Sequence, residues 1–117
     1  MSDILETREL TSAEGFDLKI RQLVDSETRP DDFECYSEKD LDAWRGSHWD
    51  FVGYQVVASK AGIELGDAAI FGVEDGIELD NGSTYNMDAF IAENYYLEDL
   101  VRDAVHEAKI KLAELSA

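Results

Sequence analysis

An α+β domain, with an antiparallel sheet of about four strands and a long C-terminal helix packed on one face, is the fold this sequence predicts. Two segments with strand periodicity, residues 4–24 and 49–73, supply the sheet, and an apolar stripe at helical spacing closes the chain. A length of 117 residues with 44% apolar content suits one domain, residues 1–117, with a real core.

The first hairpin runs Ile4 to Leu10, a polar turn Thr11-Ser12-Ala13-Glu14-Gly15, and a strand in which Phe16, Leu18 and Ile20 alternate with Asp17, Lys19 and Arg21. Asp25 to Tyr36 is a connection that holds the only proline, Pro30, and the acidic cluster Asp31, Asp32 and Glu34. Ser37 then caps a short helix over 38–45, after the second strand, with acidic residues in its first turn, Leu41 and Trp44 on one face, and Gly46 at its end.

The strongest strand pattern follows. Trp49, Phe51, Gly53, Gln55 and Val57 alternate with Asp50, Val52, Tyr54, Val56 and Ala58, so both faces are largely apolar. Lys60-Ala61-Gly62 reverses the chain, and Ile63 to Val73 returns beside it. Gly53, Gly66 and Gly72 inside these strands each mark a bulge or a place where a bulky group crosses the sheet. Asp75-Gly76 and Asp80-Asn81-Gly82 frame a small final hairpin. From Met87 to Ser116 the chain is helical, interrupted at Asn94-Tyr95-Tyr96, with Leu97, Leu100, Val101, Ala104, Val105, Ala108, Leu112 and Leu115 along one stripe. Glu98 with Arg102 and Glu107 with Lys111 are spaced as helical ion pairs.

Charge is the second message. The 27 acids and 10 bases leave a formal charge of −17, spread over both halves of the chain. Between Ala61 and Val101 there is no Lys or Arg, yet ten carboxylates. A surface of this sign repels nucleic acid phosphates and anionic membranes, which disfavours direct binding to either. It attracts cations or basic protein surfaces. Solubility or adaptation to a salty cytoplasm is the alternative explanation, although a charge this large also works against the compact state.

Catalytic and metal chemistry find little support. Cys35 is the only cysteine, so no internal disulfide is expected. A catalytic role would need a base beside it, and neither His48 nor His106 is so placed by spacing. It therefore reads as a small buried side chain. His48 and Asp50 are two metal ligands without further ligands nearby, and His48 reads as exposed at a junction with Trp49 in the core. The acidic turns lack the alternating oxygen ligands and closing glutamate of a calcium loop. No phosphate-binding loop or Ser/His/Asp pattern is present. The expectation is a non-enzyme without cofactor or metal. With no apolar leader and no membrane-length stretch, a cytoplasmic location is expected.

Exposed aromatics among carboxylates have the composition of a hot spot for a basic partner. Tyr54 lies on the opposite face of its strand from Phe51, and Tyr95 with Tyr96 cannot bury both rings on one helix face. Alternate strand residues lie about 6.5–7 Å apart, close to the spacing of successive phosphates. Asp99, Asp103 and Glu107 form a row at roughly 6 Å per step along a helix. Such rows imitate a phosphate ladder.

The run Trp49-Asp50-Phe51-Val52-Gly53, with Gly62-Ile63-Glu64-Leu65-Gly66 and Gly72-Val73-Glu74, resembles small acidic proteins of phages and prophages over residues 33–76. The resemblance implies a context in which such proteins inhibit host defence, among them anti-CRISPR and anti-restriction proteins that mimic DNA. The function expected is thus an inhibitor that blocks a basic, nucleic-acid-binding protein of the host. Its contact surface would comprise Glu74, Asp75, Glu78, Asp80, Asp88, Glu93, Asp99 and Asp103 with Tyr95 and Tyr96. Two alternatives stand beside it. One is a small-ligand domain with a pocket between sheet and helix lined by Trp49, Tyr54 and Tyr95. The other is an immunity or antitoxin protein against a cationic nuclease. Homodimerisation stays open.

Overall fold

Four antiparallel strands follow one another in space as they do in sequence. The computed structural model describes residues 3–116. The strands are β1 (Ile4–Ala13), β2 (Phe16–Val24), β3 (Asp50–Lys60) and β4 (Ile63–Asp75), in the sheet order β1-β2-β3-β4. Between β2 and β3 lie a single 3-10 turn (Pro30–Asp32) and helix α1 (Glu38–Arg45), which Ser37 caps by accepting from the Asp40 amide. After β4 come α2 (Met87–Glu93) and α3 (Tyr95–Ser116). The expected α+β architecture and its long C-terminal helix are therefore present. No helix among the described residues is long and apolar enough to cross a membrane.

Both tight hairpins turn through two residues with positive φ, Glu14-Gly15 and Ala61-Gly62. That geometry matches the right-handed twist of the flanking strands. The first turn is consequently shorter than its polar sequence suggests, and β1 continues to Ala13. The small final hairpin reduces to one bridge, Glu78 with Thr84, closed by the Leu79 amide on the Ser83 carbonyl at 2.8 Å.

The faces of β3 separate two cores. Val52, Tyr54, Val56 and Ala58 point to the layer of α2 and α3, together with Phe16, Leu18 and Ile20 of β2. Trp49 and Phe51 point the other way and pack with Ile77, Tyr36, Ala43 and Trp44 beneath α1. On α3 the expected stripe buries Leu97, Leu100, Ala104, Val105 and Ala108, while Val101 and Leu112 are half-buried. Leu115, also expected in the stripe, is 63% exposed near the helix end. Asn94, at φ 57°, makes the break between the two helices. The ion pairs expected at four-residue spacing do not form: Arg102 turns to Asp99 at 2.9 Å and Asp103 at 3.8 Å instead.

Helix α3 touches β4 backbone to backbone. A Cβ added at Gly66 would collide with the Ala104 carbonyl oxygen and the Ala108 backbone. Beside this contact the pairing of Ala58 with Gly66 and of Ser59 with Glu64 leaves Leu65 as an extra residue, a bulge that lets its side chain join the helix-side core. Gly66→Ala should therefore destabilise the protein by about 1–3 kcal/mol in urea unfolding, because backbone on backbone has no rotamer to yield.

The loop after β2 is tied down by one carboxylate. Asp25 is 8% exposed and accepts from the amides of Glu27, Thr28 and Gly72 and from the Thr28 hydroxyl, at 2.7–3.1 Å. Burial raises its pKa, but these hydrogen bonds outweigh it and hold the group below the ordinary carboxylate range. A lowered folded pKa means stability that is present above the unfolded value and lost as pH falls through the folded one. Asp25→Ala should cost about 2–3 kcal/mol at neutral pH, with the difference from wild type shrinking below about pH 4 in urea titrations.

Candidate interaction surface

Sequence gaps in basic residues are not gaps in space. Eight of the ten Lys and Arg residues make ion pairs among the described residues, and they engage nine of the 27 carboxylates. Eighteen carboxylates are left without one. Four of those expected at the contact surface are already partnered. Glu78 meets Lys39 at 3.3 Å, Asp88 meets Arg8, and Asp99 and Asp103 share Arg102.

The segment Glu74–Asp80 does not present one face. Asp75 is half-buried and accepts from the Gln22 side-chain amide at 3.2 Å, and that amide also reaches the buried Tyr54 hydroxyl at 3.1 Å. Burial pushes Asp75 above the ordinary carboxylate range; the Gln22 hydrogen bond opposes this and the nearby Glu6 charge adds to it. Glu78 leans toward α1, and Asp80 stands exposed at the tip of the turn. Only Glu74 of this set reaches the tyrosine surface described next.

That surface is an open groove of about 540 Å³ across the end of β4. Its floor is Ile70 to Glu74, one wall is Tyr96 at the start of α3, and the other is Cys35 and Tyr36 from the connection before α1. Tyr85 closes one end. Its hydroxyl donates to Glu93 at 2.8 Å, so this second carboxylate borders the groove through its partner. Burial first, and the neighbouring carboxylate second, push both Tyr36 (beside Glu74) and Tyr85 (beside Glu93) well above the ordinary tyrosine range. Both phenols therefore stay protonated as donors. Glu74 and Glu93 carry no ion pair among the described residues.

The rings are fixed from beneath. Tyr96 stacks on Phe90 at 6.4 Å, and Phe90 stacks on the fully buried Tyr54 at 4.0 Å. Tyr95 packs edge-on against Tyr96 and is 73% exposed. Tyr36 packs on Trp49 at 5.4 Å. Phe71 lies across Gly53, where any Cβ would meet its ring. Tyr95 and Tyr96 are thus the exposed aromatics the sequence indicates, whereas Tyr54 belongs to the core. Nor do Trp49, Tyr54 and Tyr95 line one pocket: Trp49 lies on the α1 side, Tyr54 is sealed under Phe90, and Tyr95 faces outward.

Cys35 is exposed, not buried as its apolar character suggests, because the connection rides over the end of the sheet. No three His, Cys, Asp or Glu side chains converge on a metal-binding arrangement among the described residues. Tyr36 and Tyr85 lie 60 and 11 residues from Tyr96 in the chain, and no spacing rule connects them. The sequence signals near the groove were Glu74, Glu93 and the Tyr95-Tyr96 pair, with Gly53 as a strand glycine marking a bulge or a bulky crossing.

Comparison of the chain with protein-family models, with curated proteins and with solved structures found no match.

The inward position of Asp75 has a measurable consequence. Its raised folded pKa means that the ionised form costs stability as pH rises through the ordinary carboxylate range and above it. Asp75→Asn should therefore raise Tm at neutral pH, with the gain shrinking as pH falls and gone below the ordinary carboxylate pKa of about 4.

Proposed function

We propose that this chain is a non-enzymatic binding protein for a basic protein surface. The observation that carries the reading is the tyrosine groove, where Glu74 on the floor and Glu93 behind the Tyr85 hydroxyl, neither with a cationic partner among the described residues, border stacked aromatic rings. The other 16 carboxylates without an ion pair among the described residues supply a field that accelerates encounter with a cationic partner. Steering comes from the broad charge, and the desolvated contact comes from the rings.

The finer reading is that the partner binds nucleic acid and that this protein occupies its Lys and Arg residues in place of phosphates. The phage-like context of residues 33–76 and the size of the negative charge support it. Arg102 neutralises part of the Asp99–Asp103 row, so this helix face contributes less to such mimicry than Glu74, Glu93, Tyr95 and Tyr96. An immunity role against a cationic nuclease would use the same physics.

Competition tests this reading. Excess protein should weaken the DNA affinity of at least one basic nucleic-acid-binding candidate by about tenfold at low salt, and by much less when salt shortens the Debye length to about 5 Å. Unchanged DNA affinity across a panel of such candidates, including cationic nucleases, would defeat it.

A further inference from the structure

The groove across β4 has the chemistry of a receptor for one particular side chain, and this step rests on the binding role just proposed. We propose that it accepts a single arginine from an extended basic segment of the partner, with the guanidinium lying against Tyr96 and hydrogen-bonded to Glu74.

Three observations select this occupant. The first is charge: Glu74 and Glu93 lack a cation among the described residues, Glu74 lies beside Tyr36 on the groove, and Glu93 accepts from the Tyr85 hydroxyl with only part of its accepting capacity. The second is ring geometry. Tyr96 is 45% exposed, with one side stacked on Phe90, and so offers a π surface beside a carboxylate. A planar guanidinium uses both at once, stacking on the ring while its N–H groups bond the carboxylate; an ammonium is a point charge with no plane to stack. The fold makes the same kind of contact internally, where Arg29 lies 4.9 Å over the Trp44 ring.

The third observation is the edge of the sheet. β4 is a terminal strand of the sheet, so a partner segment reaches the groove without displacing any element. At Gly53 the ladder bulges, since Val52 pairs with Val73 and Tyr54 with Ile70, which sets two β4 residues against one. A bulge spoils the edge for continuous strand addition. Recognition there must come from a side chain more than from backbone pairing.

The probe is a fluorescein-labelled nine-residue peptide of alternating glycine and serine with a central arginine and one flanking arginine on each side. Binding is followed by anisotropy at physiological salt. Tyr96→Leu keeps apolar volume but removes the ring, and should weaken binding roughly fivefold, as should Glu74→Gln. Tyr96→Phe should bind within about twofold of wild type, since the π face remains. The exposed control Asp80→Asn should also change little. Attaching a bulky maleimide to Cys35, the only thiol, should block the groove without altering any carboxylate. Circular dichroism melts confirm that each variant is folded.

Equal losses for Asp80→Asn and Glu74→Gln would overturn the groove and leave only diffuse charge. Full binding by Tyr96→Leu would remove the stacking contact, and equal affinity for a second peptide with lysine at all three arginine positions would remove the preference for arginine. In each of those cases basic peptide still binds, so the broader proposal survives. No binding of either peptide, together with no effect on DNA affinity in the competition assay, defeats both.

Discussion

The contact between α3 and β4 at Gly66 governs the rest of the molecule. A helix lies backbone to backbone on a sheet only where both surfaces lack bulk, and Gly66 beneath Ala104 and Ala108 meets that condition. A straight rod pinned there has its direction and reach decided. Twenty-two residues give about 33 Å of helix, against about 43 Å for the thirteen residues of β4. Tyr96, at the start of the helix, arrives over the Ile70–Glu74 end of the strand, and α2 folds back at Asn94 to seal Tyr54. The groove is what remains where the helical layer stops short of the sheet.

Electrostatics then decide what the groove presents. Several of the scarce cations are placed between elements: Arg8 joins β1 to Asp88 on α2, Lys39 joins α1 to Glu78, Lys109 joins α3 to Glu14, and Lys19 and Arg21 of β2 hold Glu64 on β4. Each exposed pair adds little, about 0–1 kcal/mol, but together they oppose the self-repulsion of a chain at −17. None of them reaches Glu74 or Glu93. Both have a phenol as neighbour instead: Glu74 lies beside Tyr36, and Glu93 accepts from the Tyr85 hydroxyl, which donates a hydrogen bond without neutralising charge. The groove therefore keeps its negative sign, while four other carboxylates from the same base-free region are paired: Glu64, Glu78 and Asp88 with cations on other elements, and Asp99 with Arg102 on its own helix.

Strand and helix periodicity made most of the fold legible in the sequence. The apolar pattern on both faces of β3 was visible, though the second core beneath α1 was not, and Ser37 announced the start of α1. Gly53 and Gly66 both proved to be crossing points, one beneath Phe71 and the other beneath the backbone of α3. The site was legible only in part, because its members come from four separate segments. Tyr95 and Tyr96 were visible as a pair too bulky to bury, and Glu74 and Glu93 as unneutralised acids. That Tyr36 and Tyr85 would stand beside them depends on the path of the connection over the sheet end, which no local pattern encodes. The misplacements have the same origin. Asp75 looked like a surface acid but sits at the strand end where Gln22 and Tyr54 draw it inward, and Tyr54 looked exposed until α2 supplied Phe90 to cover it.

Rigidity separates this groove from an ordinary acidic surface. Carboxylates on a solvated helix face lose side-chain freedom when they meet a partner, and that loss cancels much of the attraction. Here the rings are already packed on one another before any partner arrives. Tyr96 rests on Phe90 and Phe90 on a ring with no exposure, while Tyr36 rests on Trp49, whose indole N–H donates to the Asp40 carbonyl at 2.8 Å. A cation entering between such groups immobilises little that was free. On the proposed reading, the distributed charge of the remaining surface acts over a Debye length and would set how fast a basic partner arrives and how strongly salt slows it. The stacked rings and the two carboxylates would act at contact and set how long it stays. A purely solubilising charge would require only the first of these, and the second is the reason to read the acidity as functional.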